Sequence, residues 1–339
     1  MTIKTVYIEI TNRCNLNCRT CYNSSGLNRH TKEISLKDIK KTITIFSQYG
    51  AKRFLFSGGE PSLHSEFHKI FELIEQHPQY AFGFVTNGTN NDADWISFLN
   101  THNNITLQIS LDGATEEQNS FTRGNGNFAK ALEFAKRIHN PHLKKLLKMV
   151  VSQKNLNGVE DFYKLARSLD FTPEFAFIYR SGNAEDDWER KHLTAKQKIS
   201  ILQIVHQLNQ KYNHDAHLPR CTTTCPFTSN TDNMSICIKT DGSIQPCQSL
   251  YASDFTIGNL FNFDEKIMLQ KLKHITDLAK ERAHTDFECK KCMLKNTCGK
   301  GCMAEAYNLT ASPLGNDGNC LYRKLELLNF EIKKQQDVF

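Results

Sequence analysis

Cysteine placement constrains this chain more than any other feature. Of twelve cysteines in 339 residues, three stand at Cys14, Cys18 and Cys21, none falls between Cys21 and Cys221, and nine crowd the last third. A secreted disulfide framework belongs to small scaffolds that follow a secretory signal. Here Met1 leads into Thr5-Val6-Tyr7-Ile8-Glu9-Ile10 with no basic start, apolar block or small-residue cleavage site. The cysteines therefore read as metal ligands, and the gap between them separates two parts with different tasks. The Cys14-x3-Cys18-x2-Cys21 loop, just after a predicted strand, offers three thiolates. Iron–sulfur clusters are normally fixed by four cysteines, so three leave one metal open to a substrate or cofactor. A closed zinc site needs a fourth ligand, and His30, in a polar loop, is the only near candidate.

The length exceeds a usual single domain, so two domains or one large barrel with an appendage is expected. The net charge of +6 is modest, with Lys and Arg scattered rather than gathered into a basic arm. Nucleic-acid binding is not indicated. No apolar run approaches membrane-spanning length, and a cytoplasmic protein is expected.

Across the first half, β-rich runs alternate with amphipathic stretches. Strands are predicted at Thr5–Ile10, Arg53–Phe56, Phe82–Thr86, Ile105–Leu111, Leu146–Ser152 and Phe175–Ile178. Between them, Ser35-Leu36-Lys37-Asp38 has the Ser-x-x-acid form of a helix start, with Ile39, Ile43 and Phe46 at helical spacing. Phe67, Ile70, Phe71 and Ile74 mark the next face, and further helices are predicted around Asp94–Leu99, Phe128–Ile138 and Val159–Leu169. Six strands each followed by a helix imply parallel pairing with right-handed crossovers, an α/β partial (β/α)6 barrel of TIM type. In such a barrel the functional loops leave the C-terminal strand ends.

The unusual residues sit at those ends. The cysteine loop follows the first strand, Ser57-Gly58-Gly59-Glu60-Pro61 the second, Thr86-Asn87-Gly88 the third, and Ser110-Leu111-Asp112-Gly113 with Thr122-Arg123-Gly124 the fourth. Gly-Gly, Asn-Gly and Asp-Gly are ordinary turn pairs taken singly, although paired glycines also let backbone approach a ligand closely. In this order they resemble the radical S-adenosylmethionine (SAM) superfamily. The resemblance implies a 4Fe-4S cluster on Cys14, Cys18 and Cys21 whose open iron chelates SAM. It implies SAM contacts from Gly58, Gly59, Glu60, Asn87, Ser110 and Arg123. The family usually has an aromatic residue just before the third cysteine, near adenine; here that position is Thr20, and Tyr22, which follows the cysteine instead, is the residue the resemblance offers for that cofactor contact.

The second part begins with a bridge, Tyr179-Arg180-Ser181-Gly182-Asn183-Ala184 and a charged stretch. Trp188 reads as a packing residue there, and Leu193-Thr194 opens a helix with apolar Ile199, Leu202, Val205 and Leu208. Then come Cys221-x3-Cys225, Gly242-x4-Cys247, Cys289-x2-Cys292-x5-Cys298-x3-Cys302 and Cys320. This order resembles the SPASM extension of radical SAM enzymes, which carries two auxiliary 4Fe-4S clusters. The resemblance implies one cluster on Cys221, Cys225, Cys247 and Cys302 and a second on Cys289, Cys292, Cys298 and Cys320, three clusters in all. Closed four-cysteine zinc sites are the alternative. Cys237 is left over, either a small buried hydrophobe or a hydrogen donor to a substrate radical. The domains expected are a barrel over 1–183, a helical bridge over 184–215, a SPASM domain over 216–325 and a tail over 326–339.

The resemblance implies a maturase of a ribosomally made peptide, forming a carbon–carbon or thioether crosslink. Formylglycine formation by a sulfatase-maturating enzyme and peptide epimerisation are the alternatives. In the former branch an Asp follows the cysteine of the Gly-x4-Cys element, whereas Gln248 stands here and an amide cannot take that proton. An inactive iron–sulfur scaffold is a third reading, disfavoured by the intact cysteine loop with Gly58-Gly59-Glu60. Expected partners are a precursor peptide and a one-electron donor such as flavodoxin or ferredoxin. The first strand starts within a few residues of Met1, so leader recognition is expected from the SPASM surface, the bridge or a separate leader-binding protein.

Overall fold

The computed structural model describes residues 1–26, 30–216, 225–229 and 232–326. Strands β1 (Ile3–Thr11), β2 (Arg53–Gly58), β3 (Ala81–Thr86), β4 (Ile105–Ser110), β5 (Lys144–Val151) and β6 (Thr172–Phe177) each pair in parallel with the next. The crossovers are α1 (Leu36–Ser47), α2 (Phe67–Glu75), α3 (Ala93–Thr101), the pair α4 (Glu116–Arg123) and α5 (Asn127–Lys136), and α6 (Val159–Ser168). Parallel neighbours need such crossovers because a short hairpin can only reverse direction. The result is the partial α/β barrel that the alternation implies. Helix α1 starts where the sequence signals it, the Ser35 hydroxyl accepting the Asp38 amide at 3.2 Å.

Register sorts the two faces of the sheet. Val6 lies opposite Phe54 and Ile8 opposite Phe56, with Phe82 and Phe84 continuing the row. These side chains are at most 1% exposed. They meet an aromatic layer from α2 and α3: the Phe84 ring lies 4.7 Å from Trp95 and 5.9 Å from Phe67, and Phe71 stacks on Phe98 at 4.3 Å. Each such side chain contributes about 1.5–3 kcal/mol by leaving water. Because side chains alternate along a strand, Tyr7, Glu9, Ser57, Gln108, Ser110, Lys148 and Glu174 take the other face, the barrel interior. That face is polar, with Lys148 and Glu174 paired at 3.1 Å.

The sheet continues past the barrel. β7 (Met234–Ile238) lies parallel to β1 on its other edge, with Cys237 opposite Tyr7. β8 (Ser243–Gln245) and β9 (Gly258–Asn259) follow antiparallel, giving the order β6-β5-β4-β3-β2-β1-β7-β8-β9. Before β7 come α7 (Trp188–Lys191), α8 (Ala195–Tyr212) and α9 (Pro226–Ser229); after β9 come α10 (Glu265–Thr285), α11 (Phe287–Lys291), α12 (Lys295–Cys298) and α13 (Met303–Thr310). Thr194 and Gln197 form a reciprocal cap at the start of α8, satisfying two backbone donors that the helix cannot. The buried face of α8 uses Ile201, Leu202, Val205 and Leu208, and Ile199, expected on it, is only half-buried. Lys198 on the same helix donates to Asn319 Oδ1 and lies 3.6 Å from Glu305, tying the bridge to the C-terminal part.

Candidate active site

The loop after β1 is held by groups that grip its carbonyls. Asn183 donates from its backbone to Cys21 O at 2.9 Å and from its side chain to Cys18 O at 2.8 Å. Ser181 Oγ reaches Tyr22 O at 3.1 Å, and Lys191 Nζ, on a side chain 7% exposed, reaches Arg19 O at 3.1 Å. The Arg19 amide in turn donates to Thr122 O at 2.8 Å. In the sequence Ser181, Asn183 and Lys191 fall in the bridge and carry no motif. Any backbone carbonyl serves as acceptor, so such contacts leave no motif.

Gly58 and Gly59 have a structural role of their own. A Cβ on either would lie 2.2 Å from Thr11 O or 2.0 Å from Arg13 O, too close for any side chain. The amides of Gly59 and Glu60 donate to those same carbonyls at 2.7 Å. The missing Cβ atoms thus make room for the chain's own cysteine loop. Glu60, 1% exposed, then fixes that loop to the end of β3. Its Oε1 accepts from Thr86 Oγ1 at 2.7 Å, Ser62 Oγ at 2.8 Å and the Ser62 amide at 3.2 Å, and its Oε2 accepts the Asn87 amide at 2.8 Å. With Oε1 fully engaged, Oε2 keeps capacity for a further donor. Asn87 Nδ2 points to Asn15 Oδ1 at 2.8 Å and lies 4.0 Å from Cys14 Sγ. Ser110 stands half-buried at the end of β4. Arg123 is paired within the chain, its Nε 2.9 Å from Asp112 Oδ2, and its charge is felt by Cys18 and Cys21. Tyr22 turns its ring toward Tyr251, with centroids 5.6 Å apart.

Burial pushes the Cys14 thiol up to about 12 and the Cys18 thiol up to about 11. Both thiols feel Cys21, so the three form one group. Such thiols ionise only when a metal displaces their protons. A second set meets beyond β7, where Cys302 feels Cys225 and Cys247. A third lines one pocket, Cys289, Cys292, Cys298 and Cys320 together with Arg323. Cys221 lies outside the described residues. Among the described residues, the one trio of His, Cys, Asp or Glu ligand atoms within 4.8 Å of one another is His68, Asp92 and Asp94.

Residues 8–166 match the Radical SAM superfamily. The barrel half of the chain is a radical SAM domain. Its relatives include the mycofactocin maturase MftC of Mycolicibacterium smegmatis, 26% identical over 321 residues that cover 92% of this chain and 81% of the relative. Among solved structures, native anSMEcpe with bound AdoMet superposes with a TM-score of 0.77 at 19% identity, covering 98% of each chain. Streptococcus suis SuiB bound to the precursor peptide SuiA gives 0.76 at 14%, covering 93% of this chain and 75% of SuiB. At those identities the structures speak for the fold, including a cysteine-rich SPASM-like second part.

A radical SAM enzyme works with a 4Fe-4S cluster and SAM, and this chain fits both. Cys14, Cys18 and Cys21 form an all-sulfur donor set on a loop pinned on both sides, which suits iron–sulfur over carboxylate-seeking metals. Glu60 Oε2, with its spare capacity beside Cys14, suits an ammonium group such as the SAM amine. Among the described residues no helix is long and apolar enough to cross a membrane.

Proposed function

We propose that this enzyme is a peptide maturase that forms an oxidative crosslink, carbon–carbon or thioether, in a ribosomally made precursor peptide, using three 4Fe-4S clusters. The observation that carries the reading is the pair of cysteine sets beyond β7, separate from Cys14, Cys18 and Cys21. Reductive cleavage of SAM supplies a 5'-deoxyadenosyl radical that takes a hydrogen atom from an unactivated carbon. Removing a further electron requires an acceptor, which clusters held by Cys225, Cys247 and Cys302 and by Cys289, Cys292, Cys298 and Cys320 would supply. The naming of MftC as a maturase and of SuiA as a precursor peptide supports a peptide substrate. In this reading Cys14, Cys18 and Cys21 hold the SAM cluster, and Gly58, Gly59, Glu60, Asn87, Ser110 and Arg123 surround SAM. Tyr22, whose ring faces Tyr251, is the aromatic residue of that set. Cys221 completes the set of Cys225, Cys247 and Cys302, and flavodoxin or ferredoxin supplies the first electron.

Epimerisation is the second reading, because Cys237 is fully buried on the interior face beside Glu9 and Tyr251, where a hydrogen donor would stand. The test is anaerobic turnover of the reduced, reconstituted enzyme with SAM and its precursor peptide. The expected products are 5'-deoxyadenosine and a peptide lighter by two hydrogens per modification. Unchanged mass with solvent deuterium incorporated replaces crosslinking with epimerisation. Conversion of a Cys peptide to formylglycine promotes the sulfatase-type reading despite Gln248.

A further inference from the structure

Glu9 is an acidic side chain held inside β1, with no salt-bridge partner among the described residues. Its side chain is 2% exposed. Oε1 accepts the Tyr251 hydroxyl at 2.5 Å, Oε2 accepts Asn23 Nδ2 at 3.2 Å, and the Cys237 thiol lies 3.9 Å from Oε1. Among the described residues no ion-pair partner accompanies these contacts. Lys239 sits 4.7 Å above the Tyr251 ring instead, near enough to be felt, and Asp241 opposes it. Tyr22 closes the group: its hydroxyl is buried near Tyr251, Glu9, Cys237 and Tyr179 without a hydrogen bond of good geometry.

An unpaired buried carboxylate destabilises a fold strongly, and packing alone would favour an apolar side chain at this strand position. Such groups concentrate where chemistry needs them. Four segments converge on Glu9: β1, the turn directly after Cys21, β7, and the loop that follows Cys247. The carboxyl group therefore stands on the interior face between the turn that follows Cys21 and the loop that follows Cys247.

We propose that Glu9 is a catalytic base, its carboxylate accepting the proton that the peptide releases as its new bond forms. The assignment rests on the crosslinking reading. In that reaction a C–H bond and an X–H bond of the peptide break and a C–X bond forms, with X carbon or sulfur. One hydrogen leaves as an atom to the 5'-deoxyadenosyl group, the other as a proton to Glu9, and the remaining electron goes to an iron–sulfur cluster. Tyr251 orients the carboxylate by donating to Oε1. Burial pushes the Glu9 pKa up, which makes its ionised form a stronger acceptor.

The test compares wild type, Glu9→Gln and Glu9→Asp as reconstituted holoenzymes with SAM and the precursor peptide. Glu9→Gln is expected to keep its iron, its binding of SAM and peptide, and its formation of 5'-deoxyadenosine, while crosslinked peptide falls about 100-fold or more. Glu9→Asp restores part of the yield. Difference infrared spectra of the metal-free chain give a readout apart from turnover: a protonated-carboxyl band persisting above the usual glutamate range and weaker in Glu9→Gln, where Glu60 and Glu305 still contribute. Full product yield from Glu9→Gln, or loss of SAM or peptide binding together with product, overturns the base. A wild-type enzyme that leaves the peptide unchanged overturns the crosslinking reading instead, and with it this role.

Discussion

Cys237 lies opposite Tyr7 across a parallel pairing of β7 with β1, joining residues 230 positions apart in one ladder. The cysteine-rich part is therefore built onto the edge of the barrel that carries the loop of Cys14, Cys18 and Cys21. Its position relative to that loop is set by strand register.

Stability should reflect this union. Ile236 is fully buried in β7 and lies opposite Val6. Ile236→Ala removes buried volume from the common core and should cost about 2–5 kcal/mol. Thermal unfolding should shift as a single transition. A separate early melt that leaves the barrel transition in place would contradict the shared core.

Metal content gives the next expectation. Three clusters of four irons amount to about twelve per chain. Changing Cys14, Cys18 and Cys21 together to Ala should remove about four of these irons and abolish SAM cleavage. Changing Cys289 and Cys292, which line the distal pocket, should remove a different four, about the same number. Iron analysis after anaerobic reconstitution checks both, and about four irons in the unaltered protein would defeat the three-cluster assignment.

The barrel was legible because its signals are local. Parallel strands buried on one face by helices leave rows such as Phe54 and Phe56, and the cysteine spacings are written directly in the chain. The pairing of β7 with β1 was not legible, since a parallel partner more than two hundred residues away leaves no periodicity at either end. Lys191 and Asn183 were missed for a related reason, because they recognise backbone carbonyls that every residue has. Glu9 lay unnoticed within a predicted strand; its one sequence signal is a carboxylate among Val6, Ile8 and Ile10. The glycine pair was recognised for its proximity to a ligand, yet the contacts of Gly58 and Gly59 explain it equally through Thr11 and Arg13.

Asp112 should be a sensitive position. It is fully buried and accepts from Thr122 Oγ1 at 2.7 Å, from the Val150 amide at 3.0 Å and from Arg123. Asp112→Ala strands the Arg123 guanidinium, whose side chain is 12% exposed. Losing one member of a buried pair typically costs about 3–5 kcal/mol. Chemical denaturation should show that loss, with Asp112→Asn intermediate because it keeps an acceptor. A loss below about 1 kcal/mol would mean the pair is as weak as an exposed one.

Glu9 gives a pH dependence whose sign follows from its surroundings. Desolvation by burial raises its pKa and outweighs the opposing effects of Tyr251, Lys239 and Asn23. In the unfolded chain the group titrates near about 4.3. Between that value and the raised folded value the native state binds more protons, so the contribution of Glu9 is fully present below the unfolded pKa and is lost as pH rises through the folded one. Above it, the native state holds an unfavourable buried charge. Glu9→Gln should therefore melt higher than wild type near neutral pH, by about 0.5–2 kcal/mol, the usual gain when a functional group is sacrificed for stability. The difference should shrink as pH falls. Glu60, also buried and raised, contributes a slope of the same sign to both proteins and cancels in the comparison. Thermal melts of the two proteins over about pH 5 to 8 measure this difference; a Glu9→Gln protein less stable than wild type at neutral pH would show that the carboxylate is stabilised in the fold.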